Sequence, residues 1–407
     1  MLITVGGDEI AVQRVDVSEL FARRLANMGC AITWCYMSEK SGPLLRKREW
    51  YGQPAYVYYR SGLPGTLGRI VTKISELRAD LLFFVLALRR SFDIIQVRDK
   101  FMVAVLGLIA ARLKRVPFVY WLSYPFPEAR LTDVKKGHSK YPWYSWSVGK
   151  LEGWLLYRII LPMADLTFVQ SEQMKRDVER RWYDNRKLIP IPMGIPDENL
   201  PNPAELQRAK EPLILYLGTL NRVRKLEMIV RAFVKVLSVR PDARLVFVGD
   251  GNAAEDRSAL ETEVERLGLR DNVLFTGQLS REEALAWVRR AMVCLSPFYP
   301  TFELLSTSPT KLIEYMAFGK AVVANDHPEQ AEVIAQSGAG LLTAWNEEEF
   351  ADAIIQLLND PEGAVKMGRL GYEWVRDNRK YSRIADIVYE HYKTMLKEYT
   401  HRYEQGV

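Results

Sequence analysis

Ser306-Thr307-Ser308-Pro309-Thr310-Lys311-Leu312-Ile313-Glu314-Tyr315-Met316-Ala317-Phe318-Gly319 leads, across Lys320, into Ala321-Val322-Val323-Ala324. Small residues and Pro309 open a short helix, Gly319 stops it, and the apolar run behind it is a strand. The first peptide N–H groups of such a helix have no partner within it and point outward, where they can hold a diphosphate. Ser308, Pro309 and Thr310 form the mouth of that cradle. Lys311 adds a mobile cation. Glu314, one turn on, can accept hydrogen bonds from sugar hydroxyls. Together these groups suit a nucleotide-sugar. The plainer reading is a helix capped by Ser308 and packed on a sheet through Leu312, Met316 and Ala317.

Working outward, the C-terminal half repeats one theme. Apolar strands are expected at 213–217, 244–248, 273–275, 293–295 and 321–324, with helical patterns near 226–239, 254–267 and from 281. Short apolar strands alternating with amphipathic helices imply a parallel sheet covered on both faces. The N-terminal half is less regular. Strands are expected at 2–5, 31–36, 55–59, 94–97, 118–122 and 166–169, with a helix over 15–28. Pro190, Pro192, Pro196, Pro201, Pro203 and Pro212 suggest a stiff linker. The expected division is an N-terminal domain over 1–205 and a C-terminal domain over 206–379, with a polar terminal helix over 380–407 that cannot extend a sheet.

A chain of 407 residues is long for one core, and 48% hydrophobic with 26% charged residues is ordinary for a globular protein. Cys30, Cys35 and Cys294 have neither disulfide-framework nor zinc spacing. Met1-Leu2-Ile3-Thr4-Val5 reads as a first strand and not as a signal peptide. The longest apolar runs, 81–88 and 101–111, are short of a membrane span. These features lead to the expectation of a cytoplasmic protein. The net charge of +6 is uneven: residues 1–200 hold 30 Lys+Arg against 20 Asp+Glu. A basic half attracts nucleic acid, an anionic membrane or phosphorylated substrates. No nucleic-acid-binding motif is present, so no nucleic-acid partner is expected. Residues 141–157 interleave Trp143, Tyr144, Trp146, Trp154 and Tyr157 with lysine, which suits either a bilayer interface or an aromatic core patch.

The 306–319 stretch resembles the donor-site signature of retaining glycosyltransferases of family 4. That family has the α/β GT-B fold, two doubly wound Rossmann-like domains facing a central crevice. The signature is a Glu, seven residues, then a second Glu. Glu314 matches the second, and Ser306 stands where the first is expected. The run Ser-Pro-x-Lys-x-x-Glu-Tyr-Met-Ala resembles a subgroup that builds bacterial surface polysaccharides. Residues 218–225, Gly-Thr-Leu-Asn-Arg-Val-Arg-Lys, resemble the family segment whose Arg and Lys grip the diphosphate. Lys225 aligns with the Lys. Thr219 follows Gly218 where the Arg is expected, leaving Arg222 or Arg224 to substitute. Gly249-Asp250-Gly251 resembles the loop beside the nucleotide, and Thr276-Gly277 the segment whose backbone reads the base. Gly6-Gly7 resembles the glycine-rich loop bordering donor phosphates and acceptor, and Arg14, Leu20 and Leu25 its packing pattern. The resemblance also implies a terminal helix crossing back onto the N-terminal domain.

Two departures stand out. After 118–120 the family often carries a His that contacts the donor sugar, and here Ser123 occupies that place. Ser306 is the other. With no Asp-x-Asp, no catalytic metal or other cofactor is expected, and cations with backbone N–H groups must supply the field at the leaving diphosphate. The resemblance implies a retaining glycosyltransferase acting from a nucleotide-diphosphate sugar on a saccharide or lipid-linked saccharide acceptor. The basic half and the aromatic-lysine segment add the expectation of a peripheral place at the inner face of a membrane. A catalytically weak sugar-nucleotide-binding subunit and a GT-B epimerase remain as rival readings.

Overall fold

A computed structural model describes residues 1–5, 14–41, 45–60, 63, 65–181, 187–206, 209, 211–251 and 253–404. Gly6 and Gly7 lie outside the described residues. Contacts divide the chain into two units, Met1–Pro192 with Tyr381–Val407, and Met193–Lys380.

The first unit is built on β1 (Leu2–Val5), α1 (Asp16–Leu25, wound as a π-helix), β2 (Thr33–Ser41), β3 (Leu45–Trp50), β4 (Gln53–Arg60) and α2 (Gly65–Arg89). It continues with β5 (Ile95–Arg98), α3 (Phe101–Lys114), β6 (Phe118–Leu122), α4 (Phe126–Lys135), α5 (Pro142–Leu155) and α6 (Leu161–Met163). β7 (Leu166–Val169), α7 (Glu172–Glu179) and β8 (Leu188–Pro190) complete it. The strand order is β3-β4-β2-β1-β5-β6-β7-β8, parallel except for β3. β3 carries no apolar alternation, so hydrophobic patterning gives no sign of it. Its Arg46, Lys47, Arg48 and Glu49 are exposed along the sheet edge, where charge discourages further pairing. Tyr51 (φ 50°) and Gly52 (φ 70°) make the two-residue hairpin turn that positive φ at both positions permits.

Helices cover both faces of this sheet. On one, Phe83, Phe101, Leu108 and Leu156 pack over β5 and β6. On the other, α1 packs with the last helix of the chain, α16 (Tyr381–Glu404). α16 buries Tyr381, Ile384, Ala385, Val388, Tyr392 and Met395, a helical stripe, and this burial places it in the first unit. Each buried large apolar side chain contributes roughly 1.5–3 kcal/mol.

The second unit is β9 (Leu213–Leu217), α8 (Glu227–Val239), β10 (Arg244–Val248), α9 (Ala254–Arg266), β11 (Val273–Phe275), α10 (Arg281–Arg290), β12 (Val293–Ser296), α11 (Phe302–Leu305) and α12 (Thr310–Ala317). β13 (Ala321–Asn325), α13 (Pro328–Ser337), β14 (Gly340–Thr343), α14 (Glu347–Asn359) and α15 (Pro361–Asn378) follow. Its sheet is parallel throughout, in the order β11-β10-β9-β12-β13-β14. The described part of the proline-rich stretch is not a free linker. Residues from Met193 onward pack with the second unit: Ile195 N–H donates to Arg379 O (2.8 Å) and Tyr372 Oη to Pro201 O (2.8 Å). The division therefore falls at Pro192 rather than at 205.

Candidate functional site

Three glycine backbones meet at the carboxyl ends of β9, β10 and β11. Gly218 N–H donates to Val248 O (2.9 Å), and Gly249 N–H to Gly277 O (3.1 Å). A Cβ on Gly249, whose φ is +128°, would sit 2.3 Å from the Gly218 carbonyl oxygen, so only glycine lets the two strand ends touch. Beyond Gly249, Gly251 N–H binds Asp250 Oδ1 (2.8 Å), and Thr276 Oγ1 donates to Gly277 O (2.9 Å).

The helix expected from the opening stretch is α12. Ser308 does not cap it. Its hydroxyl accepts from Met193 N–H (2.9 Å) and donates to Glu329 Oε1 (2.7 Å), and no side chain caps the first turn. Uncapped N–H groups of this kind can hold an anion. Pro309 stands at the cap position with Thr310 behind it. Tyr315 anchors the helix to β9, its hydroxyl accepting from Leu217 N–H (2.7 Å).

Lys311 reaches from α12 into a polar knot beneath Gly218. It is 9% exposed, and its Nζ donates to Tyr216 Oη (3.1 Å) and lies 4.2 Å from the Tyr216 ring centre and 5.1 Å from that of Phe298. Tyr216 Oη in turn donates to Thr219 O (3.1 Å). Burial pushes the Tyr216 phenol up to about 12, against the hydrogen-bonded Arg224. Arg224 has a buried Nε with no hydrogen-bond partner. Burial, then the Arg224 charge, hold the Lys311 ammonium well below its ordinary pKa, with Glu314 pulling the other way. Among the described residues neither cation forms an ion pair with a carboxylate. The Glu314 carboxylate instead pairs with Arg281 (3.2 Å), and burial raises its pKa against the pull of Arg281 and Lys311.

The structure separates the two candidate substitutes for the missing arginine. Arg224 turns in toward Tyr216 and Lys311. Arg222 turns out, its guanidinium donating to Glu255 O (3.1 Å) at the start of α9. Lys225 is exposed two residues before α8, with φ +52°, and forms no ion pair among the described residues. Ser306 is fully buried, its hydroxyl donating to Phe302 O (3.1 Å), so it is no exposed stand-in for a carboxylate. His327 is buried as the cap of α13, its Nε2 2.9 Å from Leu304 O, and burial lowers its pKa to about 4.

In the first unit, Ser123 is also committed. Its N–H donates to Asp99 Oδ1 (2.7 Å) and its hydroxyl to Asp99 Oδ2. Burial raises the Asp99 carboxyl, with Arg98 opposing it. Arg98 is itself buried and paired with Asp16 (2.5 Å). Sequence reading missed Tyr216, Phe298, Arg281 and Asp99, because each meets its partner across a long sequence gap.

A model of glycosyl transferases group 1 matches residues 201–374, and a model of glycosyltransferase family 4 matches residues 17–199. The chain belongs to this glycosyltransferase family. An uncharacterized glycosyltransferase of Methanocaldococcus jannaschii is 24% identical over 72% of this chain and 75% of its own. The alpha-monoglucosyldiacylglycerol synthase of Streptococcus pneumoniae is 25% identical over 67% of this chain, which spans only 60% of that relative. Among solved structures, Anabaena HepE, determined with UDP and glucose, superposes with a TM-score of 0.69 over 96% of this chain and 99% of its own at 16% identity. That likeness shows the GT-B class of fold. The two Rossmann-like units of this glycosyltransferase agree with it.

Proposed function

We propose that this glycosyltransferase moves a sugar from a nucleoside-diphosphate sugar to a saccharide or lipid-linked saccharide, with retention at the anomeric carbon, in the building of a cell-surface polysaccharide. The observation that carries the donor side is the buried Lys311 and the inward Arg224, two cations without a carboxylate partner among the described residues, beside the uncapped start of α12. Buried charge is retained where a counter-charge arrives, and a diphosphate supplies one. In transfer the bond from anomeric carbon to β-phosphate oxygen breaks, the diphosphate takes the electron pair, and the acceptor hydroxyl bonds the carbon and gives its proton to the departing phosphate oxygen. Lys311 and Arg224 offset the charge that grows on the leaving oxygen. Glu314 holds the ribose hydroxyls once Arg281 yields, while Gly218, Gly249, Gly251, Thr276 and Gly277 line the nucleotide with backbone. With cations in this role, no metal is needed. Retention rests on the family resemblance. The HepE complex makes UDP the first base to try, and the lipid-named relative makes lipid-linked acceptors the first pool.

A second reading, a sugar-nucleotide-binding subunit with little turnover, is favoured by one observation. The hydroxyls of Ser123 and Ser306, which stand in the places of the family's His and Glu, are both spent on internal bonds. A melting-temperature panel of UDP-, GDP- and ADP-sugars, in EDTA, tests the first reading. A donor at a hundred times its Kd stabilises the native state by about 2.7 kcal/mol. One donor should raise Tm in EDTA and then turn over with a lipid-linked or saccharide pool. Binding without turnover favours the second reading, no shift with any donor refutes both, and a shift or turnover that needs added Mg²⁺ or Mn²⁺ refutes the metal-free account.

A further inference from the structure

The helical layer on the β5–β6 face of the first unit exposes far more apolar surface than a covered core requires. α2 turns Ile70, Ile74, Leu77 and Leu81 outward, at helical spacing. α3, packed beside it, exposes Met102, Ile109 and Leu113 in the same way. α5, packed on α3, exposes Trp143 (82%), Trp146 (47%), Leu151 and Trp154 (55%) along one face. The alternative of an aromatic core patch is thus overturned for these tryptophans. No helix among the described residues is long and apolar enough to cross a membrane.

The same layer holds the charge. Residues 65–160 contain 16 Lys+Arg and 7 Asp+Glu, a net of +9, nearly the whole excess of the N-terminal half. Three of its acids are neutralised locally: Glu76 by Lys73, Asp80 by Lys100 and Glu152 by Arg130. Arg78, Lys114, Lys135, Lys136 and Lys150 are exposed and, among the described residues, in no ion pair. Interfaces between proteins bury aromatics but deplete lysine, because an ammonium is costly to dehydrate. Lysines interleaved with exposed tryptophans match instead the boundary of an anionic bilayer, where rings enter the headgroup layer and ammonium groups stay wet.

We propose that this three-helix face docks on an anionic lipid bilayer and there meets a lipid-anchored acceptor. A cavity of about 590 Å³ among α2, α3, α4 and α5 fits that use. Met102 and Leu151, both on the exposed face, line it together with the Asp80–Lys100 and Arg130–Glu152 pairs. An amphiphile, with an apolar chain and a polar head, offers both kinds of partner. The acceptor part rests on the glycosyl-transfer reading above; the docking does not.

The test is pelleting of the full chain with vesicles of phosphatidylcholine, or of equimolar phosphatidylcholine and phosphatidylglycerol, at low and physiological salt. Binding is expected to the anionic vesicles and not to the neutral ones. Replacing Lys135, Lys136 and Lys150 together by Gln should weaken it about a hundredfold at low salt, at about 1 kcal/mol per cation. Replacing Trp143, Trp146 and Trp154 together by Ser should remove the fraction that survives physiological salt, with Tm unchanged. Failure to bind anionic vesicles, equal binding to neutral ones, or a large Tm loss in the tryptophan variant overturns the proposal. So does a dimer, seen by sedimentation, that the tryptophan variant dissolves, since the face then belongs to a second copy. Docking without any glycosyl transfer would sink the functional reading and leave the surface standing.

Discussion

Lys311→Met should make the protein more stable and the donor bind worse. The position is 9% exposed, and the ammonium has a hydroxyl and two rings about it but, among the described residues, no carboxylate in ion-pair contact. Replacing a buried charge by an apolar side chain of similar length commonly stabilises by about 1–4 kcal/mol. The lost cation–π contacts take back about 0.5–2 kcal/mol. A net gain of about 1 kcal/mol raises Tm by roughly 2–4 °C in a domain of this size. On the binding side, a hydrogen bond to a charged group is worth about 1.5–3 kcal/mol, so affinity for a nucleoside diphosphate should fall about tenfold to a hundredfold. Calorimetric titration and a thermal melt on the same preparation read both numbers. A lower Tm with unchanged affinity would show that Lys311 is a packing residue, and the diphosphate account would lose its main support.

The pH dependence carries the same sign. Burial, then Arg224, lower the folded-state pKa of Lys311 below its unfolded value. Between those two values the unfolded chain holds more protons, so this residue's contribution to stability rises as pH rises through that window. The Met variant should lack that slope. A bound diphosphate favours the ammonium, so binding above the folded-state pKa should take up a proton.

Arg224→Gln should weaken nucleoside-diphosphate binding about tenfold to a hundredfold, whereas Arg222→Gln, changed on the surface beside α9, should stay within about twofold; equal losses would remove the distinction drawn from their orientations. Gly249→Ala should destabilise by about 2–4 kcal/mol, from the clash with the Gly218 carbonyl and the positive φ, and a melt indistinguishable from the parent would refute the close approach. Glu314→Gln should reduce affinity for a nucleoside diphosphate by about fivefold to thirtyfold while leaving inorganic diphosphate unaffected, and the same loss for both would contradict the ribose role.

The two parallel sheets were legible because buried strands such as 213–217 and 118–122 are apolar end to end and are closed by glycine or polar turns. β3 was not, because an exposed edge strand with a run of charged residues at its centre has no apolar face to reveal it. The start of α12 and the lysine in its first turn could be read from the sequence. Which arginine turns inward could not: Arg222 and Arg224 are equivalent in a basic loop until Tyr216 and α9 draw them apart. The role of Ser308 was likewise hidden, since the partners that take it from the cap, Met193 and Glu329, are remote in sequence. Spacing placed the tryptophans of α5 together without showing which side of the helix is covered.

Two buried cations in this chain make a controlled comparison. Arg98 is 2% exposed and meets Asp16 at 2.5 Å, with Asp99 at 3.5 Å. Its charge is balanced within the fold, and removing it would leave two acids buried, so its role is structural. Lys311 is nearly as buried, yet the nearby acid, Glu314, is drawn off by Arg281, and the neighbouring Arg224 adds repulsion. A fold with no anion to bind gains stability from Met or Leu at 311. Keeping lysine there lowers the stability of the empty protein and raises that of the occupied one. On the proposed reading, the free energy is recovered when a diphosphate enters, which is where a transferase needs it, because the charge on that diphosphate grows as the sugar departs.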